Sequence, residues 1–405
     1  MNESRGSAPQ AKWKPLLQSM VDELAASGVL RSPAIRRSFL EVPRHLFVDK
    51  LSLEDIYSDA PIVTKTDVEG RPVSSCSMPS LVASMLEDLD LSPGLRVMEV
   101  GAGTGYNAAL LGHVVGASGR VVSIDIDSEV ATAARHHVRR TGLANVRVVA
   151  ADGAHGFPSE APYDRITVTV GVREPFPAWV AQLSEGGLLQ TPIWIRGQQL
   201  VATFLKAGDQ LRSVSLTYGG FMRLRGSSRT GEGYLQCVGW TLCHEQPDTV
   251  DQLRLAPALV EAARNARQVR GSKRNLGVPF RLYLAMRDTR FAVAEHCDES
   301  GRVDSQAVGY VDWDSCSLAL LATKRGSDDV ELLTHGSTSL VEGLLSHLGE
   351  WDAMGRVALS DCRITMKEVS SGAARQDHGS QPGTVAGNAY DIEIRFRRIN
   401  GTGLL

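Results

Sequence analysis

The chain has 405 residues, 43% of them hydrophobic and 22% charged, with a net charge of −3. This length suits two domains, each with a sizeable core, and the composition is that of a water-soluble globular protein. The charge gives no global attraction to nucleic acid, and no apolar run approaches the roughly 18 residues of a membrane span.

The first residues, MNESRGSAPQAKWKP, lack the apolar centre of a signal peptide. Cys76, Cys237, Cys243, Cys297, Cys316 and Cys362 form no C-x-x-C pair, so neither a zinc site nor a disulfide framework is indicated. Reduced thiols packed as small hydrophobes in a cytoplasmic protein fit this usage, and no metal is expected.

Leu16, Leu17, Met20, Val21 and Leu24 recur at helical spacing and predict a first amphipathic helix, ended by Gly28. A short helix follows Pro33, with Ile35, Phe39 and Leu40 on its apolar face. Residues 55–76 are polar and read as loop. Pro79 opens a helix whose stripe is Leu81, Val82, Met85, Leu86 and Leu89. From residue 95 short apolar runs (LRVMEV, GRVVSIDI, VRVVAAD, DRITVTV, GGLLQTPIW) alternate with helical stretches. That alternation predicts an α/β, Rossmann-like domain around a parallel sheet. Residues 199–205 and 211–217 read as a closing antiparallel pair.

Residues 226–233 are rich in glycine, serine and arginine and read as a linker, giving domains at 1–225 and 234–405. Beyond it, 235–243 reads as a strand and 249–270 as a helix. FRLYLAM, FAVAEH, AVGYVDWD and SLALLAT read as strands, followed by a helix around 339–348 and a last strand, YDIEIRFRR. The second domain is therefore expected to be a smaller α+β unit, with a loop at 370–388.

The chemistry is concentrated at 97–106, VMEVGAGTGY, where a strand should run into Gly101, Gly103 and Gly105 and a helix should start near Asn107. Glycines let the main chain approach a ligand, and the helix start offers free N–H groups. Glu99 lies two residues before the first glycine, which suits an ammonium better than a pyrophosphate. The next run ends in Asp125, placed for ribose hydroxyls, and the third in Asp152, placed for an adenine amino group. Three acids at three successive strand ends point to S-adenosylmethionine. The alternatives are a dinucleotide or a loop that has lost its ligand.

Seven stretches in this order resemble the protein-L-isoaspartate O-methyltransferase family: VPRHLFV at 42–48, YSDAPIV at 57–63, SSCSMPSLVASML at 74–86, VMEVGAGTGYNAALL at 97–111, SIDID at 123–127, AADG at 150–153 and YDRITVTVG at 163–171. The resemblance implies that Thr104 and the neighbouring backbone hold the methionyl carboxylate. It implies that Asp125 with Ile126 binds ribose and the adenine edge, and that Asp152 with Gly153 binds the adenine. Ser74, Ser75, Cys76, Ser77 and Val82 would line the border between cofactor and substrate, and Ser77 matches the family's active-site serine. The reading from position alone is that Ser77 caps the helix opened by Pro79.

A carboxylate needs no general base to accept a methyl group, only alignment and exclusion of water. A serine hydroxyl that donates to one carboxylate oxygen orients the other and leaves its charge largely intact. His45, His136 and His137 are expected to be packed or surface residues rather than bases, the last two facing solvent.

Two departures from the family stand beside Ser77: Cys76 replaces an isoleucine and Met78 a polar residue. The preceding loop is longer and more charged, and about 180 residues follow the closing strands. These features resemble a subgroup associated with ribosomally made peptides such as lanthipeptides and graspetides. That resemblance implies methylation of an aspartate in a macrocyclic modified precursor peptide, leading to a succinimide and isoaspartate. The alternatives are repair of isoaspartyl damage in proteins and, in another class, a peptide-binding scaffold without turnover. In the second half, Arg264, Arg267, Arg270, Lys273, Arg274 and Arg281 form a basic stretch that reads as a solvated face or as a dock for an acidic peptide. Trp240, Trp313 and Trp351 read as core.

Overall fold

In the computed structural model, the apolar repeat near the N-terminus folds into α1 (Trp13–Ala26), with Leu17, Met20, Val21 and Leu24 buried. The structure describes residues 12–226, 233–244, 250–269, 276–298, 300, 302–355, 357–368, 384–386 and 389–396. Gly28 follows α1 at φ +76°, where an L side chain would be strained. α2 (Pro33–Glu41) opens on its proline, and a four-residue helix, α3 (Leu53–Ile56), comes next.

Residues 62–76 are not the expected loop. β1 (Ile62–Thr66) and β2 (Pro72–Cys76) pair antiparallel in an isolated hairpin. β1 is mostly exposed and its register shifts on either side of Lys65, and β2 alternates in burial with serines at Ser74 and Ser75, so neither carries an apolar alternation in sequence. α4 (Pro79–Asp88) follows.

The β-α alternation is then realised as β3 (Arg96–Val100), α5 (Tyr106–Val115), β4 (Arg120–Asp125), α6 (Ser128–Arg140), β5 (Val146–Ala150), β6 (Tyr163–Val168), α7 (Pro177–Gln182) and β7 (Leu183–Ile195). β8 (Gln198–Ala207) and β9 (Gln210–Thr217) close the unit as an antiparallel pair. β5, β4, β3, β6 and β7 are parallel, so their carboxyl ends share one edge of the sheet. This is the fold of class I S-adenosylmethionine-dependent methyltransferases.

The second half forms β10 (Gly233–Cys237), β11 (Trp240–His244), α8 (Gln252–Arg264), β12 (Arg267–Val269), α9 (Val278–Arg287), β13 (Phe291–Cys297), β14 (Val303–Asp312), β15 (Ser317–Lys324), β16 (Val330–His335) and α10 (Thr338–Met354). Its seven strands run antiparallel in the order β10-β11-β13-β14-β15-β16-β12. FRLYLAM is helical, not extended. Phe280, Leu282, Tyr283, Leu284, Ala285 and Met286 are all buried, and a helix buried all round has the same short apolar run as a central strand.

The chain then returns to the first sheet. β17 (Cys362–Glu368) pairs with β9, and β19 (Tyr390–Phe396) extends it, with β18 (Thr384–Ala386) at the edge. The first sheet therefore has ten strands, and its outer three come from the last forty-odd residues. The strand pairing thus departs from the expected split at 226–233. One hydrophobic core also crosses that line, containing Phe204 and Leu211 from the first unit with Phe280, Leu344, Trp351 and Ile364 from the second. Residues 227–232 and most of 370–388 lie outside the described residues.

Trp240 and Trp351 are core, and Trp313 packs partly buried against it. Arg264 and Arg267 are exposed, whereas Arg281 is half-buried and donates to Leu276 O and Gln306 Oε1. Arg270, Lys273 and Arg274 lie outside the described residues. No helix among the described residues is long and apolar enough to cross a membrane.

Candidate active site

A cavity of about 270 Å³ opens at the carboxyl edge of the parallel strands. It gathers Ser74, Ser75, Cys76, Ser77, Val82, Glu99, Gly101, Gly103, Thr104, Asn107 and Asp125, which were singled out in the sequence. Gly105, Ile126, Asp152 and Gly153 lie outside its lining. Gly105 turns the chain into α5 at φ +84°, where a Cβ would press on Ala134 of α6. Gly153 packs on Val100, and its carbonyl accepts from Trp179 Nε1. Ile126 and Asp152 sit beyond the cavity, where Gly226 crosses them. A Cβ on Gly226 would meet Ile126 Cδ1 at 2.8 Å and Asp152 Oδ2 at 3.0 Å.

Close packing explains the glycine loop. A Cβ at Gly101 would lie 2.5 Å from Thr169 Oγ1, and one at Gly103 would lie 3.1 Å from Ser75 O. The β1–β2 hairpin therefore rests directly on the loop. Gly103 N donates to Asp125 Oδ2 and Asp127 N to Asp125 Oδ1, each at 3.0 Å, which fixes the carboxylate at the end of β4. A carboxylate has four acceptor sites, so it retains capacity for hydroxyl donors. Burial pushes the Asp125 carboxyl up, against the pull of its two backbone donors.

Glu99 is fully buried at the base of the cavity. Asn107 Nδ2 donates to its Oε1 at 2.8 Å, and Ser123 Oγ donates to its Oε2. Burial raises its carboxyl to about 7, more than these two donors lower it. At the start of α5 the Tyr106 N–H donates weakly to Thr104 Oγ1 at 3.4 Å, and the N-cap residue Gly105 has no side chain to cap the N–H groups that follow. Uncapped N–H groups, a buried acid and a strand-end carboxylate are the donor and acceptor set that S-adenosylmethionine needs.

Ser77 joins β2 to α4 and is half-exposed at the cavity. It does not cap the helix. Met78 is the N-cap residue, and the first-turn Ser80 N donates to Asp59 Oδ1 at 2.8 Å. Among the described residues the Ser77 hydroxyl has no hydrogen-bond partner, so it is available to a ligand.

Several site residues escaped sequence reading. Arg44 is fully buried in the motif VPRHLFV and reaches the backbone of Ser77. Its neighbour His45 is bonded through Nδ1 to the Tyr57 hydroxyl at 2.7 Å. His137 does not face solvent. It is half-buried, and its Nδ1–H donates to Thr104 O at 2.9 Å, bracing the glycine loop. Tyr218, Gly219, Gly220, Phe221 and Met222 roof the cavity after β9. The glycine pair was the available signal for that roof. Arg225 then reaches Asp127 at 3.7 Å, and Lys65 of β1 bonds the same carboxylate at 2.8 Å, so hairpin and roof meet at the end of β4.

A family model described as protein-L-isoaspartate(D-aspartate) O-methyltransferase matches residues 16–221, just over half the chain. The chain belongs to this family. Its members are S-adenosylmethionine-dependent carboxyl methyltransferases. The protein-L-isoaspartate O-methyltransferase of Thermotoga maritima is 42% identical over 175 residues, 43% of this chain and 55% of its own length. The chain therefore spans only about half of that relative. The Pyrococcus horikoshii protein of the same name is 40% identical over 182 residues, 45% of this chain and 77% of its own. A solved structure named protein-L-isoaspartate O-methyltransferase aligns over 93% of this chain and 98% of its own, at 25% identity and a TM-score of 0.53. That likeness runs beyond residue 221 into the second half of the molecule.

Proposed function

We propose that this protein esterifies the carboxylate of an isoaspartyl residue in a polypeptide, with Ser77 orienting the reacting group. The observation that carries the reading is the Ser77 hydroxyl, unpartnered among the described residues and held at the cavity by a backbone whose helix is capped by Asp59. When bound, S-adenosylmethionine supplies an electrophilic methyl on a sulfonium sulfur. Asp125 would accept from the ribose, Ile126 and Asp152 would lie toward the adenine, Glu99 would take the ammonium, and Thr104 with the start of α5 would take the methionyl carboxylate. Ser77 donates to one oxygen of the substrate carboxylate. The other oxygen would then be free to accept the methyl, with the electron pair of the broken methyl–sulfur bond remaining on sulfur. No proton moves, so no base is required. The hairpin and the roof would shield this end of the site from water.

A tailoring role on a macrocyclic peptide was the first expectation from the sequence, and the isoaspartyl reading is now better supported. The long C-terminal half, which suggested a specialised subgroup, aligns with a solved protein-L-isoaspartate O-methyltransferase. Cys76 is buried, with its sulfur 3.5 Å from Arg44 Nε. What still favours the tailoring reading is Met78, which lines the cavity beside Ser77 in place of a polar residue. Labelled S-adenosylmethionine with matched isoaspartyl and aspartyl peptides tests the proposal. Base-labile label on the isoaspartyl peptide is expected. Label on a macrocyclic aspartyl peptide, with none on the isoaspartyl one, overturns it.

A further inference from the structure

We infer that Arg44 is a positioning residue for methyl transfer, holding Ser77 at the reacting carboxylate from behind. The inference rests on the proposed role of Ser77. Arg44 is fully buried. Nη1 donates to Ile56 O at 2.6 Å and to Ser58 O at 3.0 Å. Nη2 donates to Ala60 O and Ser77 O, both at 3.0 Å, and more weakly to Cys76 O at 3.4 Å. Nε points at Cys76 Sγ, 3.5 Å away. One guanidinium thus ties the end of α3 and the turn before β1 to the β2–α4 junction. Among the described residues no carboxylate pairs with it.

The fork geometry explains the residue type. A guanidinium presents five N–H groups in one plane and can serve carbonyls on two sides at once. A lysine at the same place would offer three donors from one point and could not hold residues 56–60 and 76–77 together. A buried cation without a counter-ion is costly, and fold stability alone is better served by apolar packing. The contact to Ser77 O shows what the cation secures. The serine sits where a strand becomes a helix, its hydroxyl has no partner among the described residues, and Arg44 holds it by its backbone. The cofactor end of the cavity is built on β3, β4 and α5, and Arg44 bonds to none of them. Its loss should therefore displace the serine and spare the cofactor.

Arg44→Lys in the full chain tests this. The expected result is a fall in kcat of about a hundredfold, the scale of a misplaced reacting group, with cofactor affinity little changed. Amide hydrogen exchange should quicken in the segment 74–81 and stay unchanged in 97–107. A merely structural Arg44 would lower the melting temperature and leave kcat per folded molecule within about threefold of wild type, which overturns the assignment. Unchanged exchange at 74–81 overturns it as well, even if turnover falls. Arg44→Ala with added methylguanidinium is the second variant, and partial return of turnover is expected. If neither variant binds cofactor, Arg44 is a folding residue and the inference fails. A wild-type protein that does not esterify the isoaspartyl peptide sinks the function proposed above, while the exchange measurement still decides the role of Arg44.

Discussion

The two sheets of this protein use the same kinds of apolar residue to different ends. In the ten-stranded sheet five neighbouring strands run parallel, so their carboxyl ends collect on one edge. Glu99, the glycine loop, Asp125 and Thr169 all stand at that edge and line one cavity. In the seven-stranded sheet every neighbour is antiparallel, so successive carboxyl ends fall on opposite edges. No group of functional side chains can collect there by the same means. Its buried polar side chains among the described residues are Ser317 and Thr323, against Glu99, Ser123, Thr167, Gln190 and others in the first sheet. The difference teaches that chemistry follows strand direction, while the second sheet contributes core.

The largest expected effect comes from separating the two. A chain ending at residue 225 loses β17, the hydrogen-bonded neighbour of β9, and uncovers one side of the core that holds Phe204 and Leu211. It should be insoluble or lack a cooperative thermal transition by circular dichroism. A soluble 1–225 fragment that titrates with S-adenosylmethionine would break the comparison, because the second half would then be dispensable for the first. Next in size is Ser77→Ala. It should cut kcat by about a hundredfold while leaving cofactor affinity within a few-fold, as loss of one well-placed donor does. Turnover near the wild-type rate would leave Ser77 without a role in the chemistry. Asp125→Asn should then weaken cofactor binding by about tenfold, since charge-assisted bonds are replaced by neutral ones. Calorimetric titration reads this, and unchanged affinity rules out the ribose role.

How much of this was legible in the sequence follows from how local each signal is. Glu99, Asp125 and the glycine loop lie at ends of apolar runs, and a parallel sheet needs nothing more to bring them together. Ile126 and Asp152 lie beside rather than within the cavity where Gly226 crosses them, and Gly153 lies outside it against Val100 and Trp179, contacts that no local run of residues announces. Arg44 was in a quoted motif, but its role requires carbonyls at 56, 58, 60 and 77 to meet, a tertiary fact. FRLYLAM was misread because burial on all sides erases periodicity. β17 was missed, and with it the return to the first sheet, because strand pairing across some 150 residues leaves no local trace.

The smallest effect is a proton rather than a rate, and it tests the cofactor edge at Glu99. In the folded protein burial raises this carboxyl from 4.5 to about 7. Below 4.5 it is protonated in both folded and unfolded chains. Between 4.5 and about 7 the unfolded chain releases its proton and the folded one keeps it, so the folded state binds more protons. Its contribution to stability is therefore greatest at low pH and is lost as pH rises through this window. A cofactor ammonium placed against Glu99 favours the ionised carboxylate and reverses part of that shift. Binding of S-adenosylmethionine near pH 6.5 should then release a fraction of a proton. Titration calorimetry in two buffers of different ionisation enthalpy measures it, because the apparent binding heat changes with the buffer. In Glu99→Gln the buffer dependence should vanish, and the stability of the free protein should lose its fall between pH 4.5 and 7. Binding heat that is the same in both buffers for the wild type would mean that no charge reaches Glu99, and the ammonium would have to be bound elsewhere in the cavity.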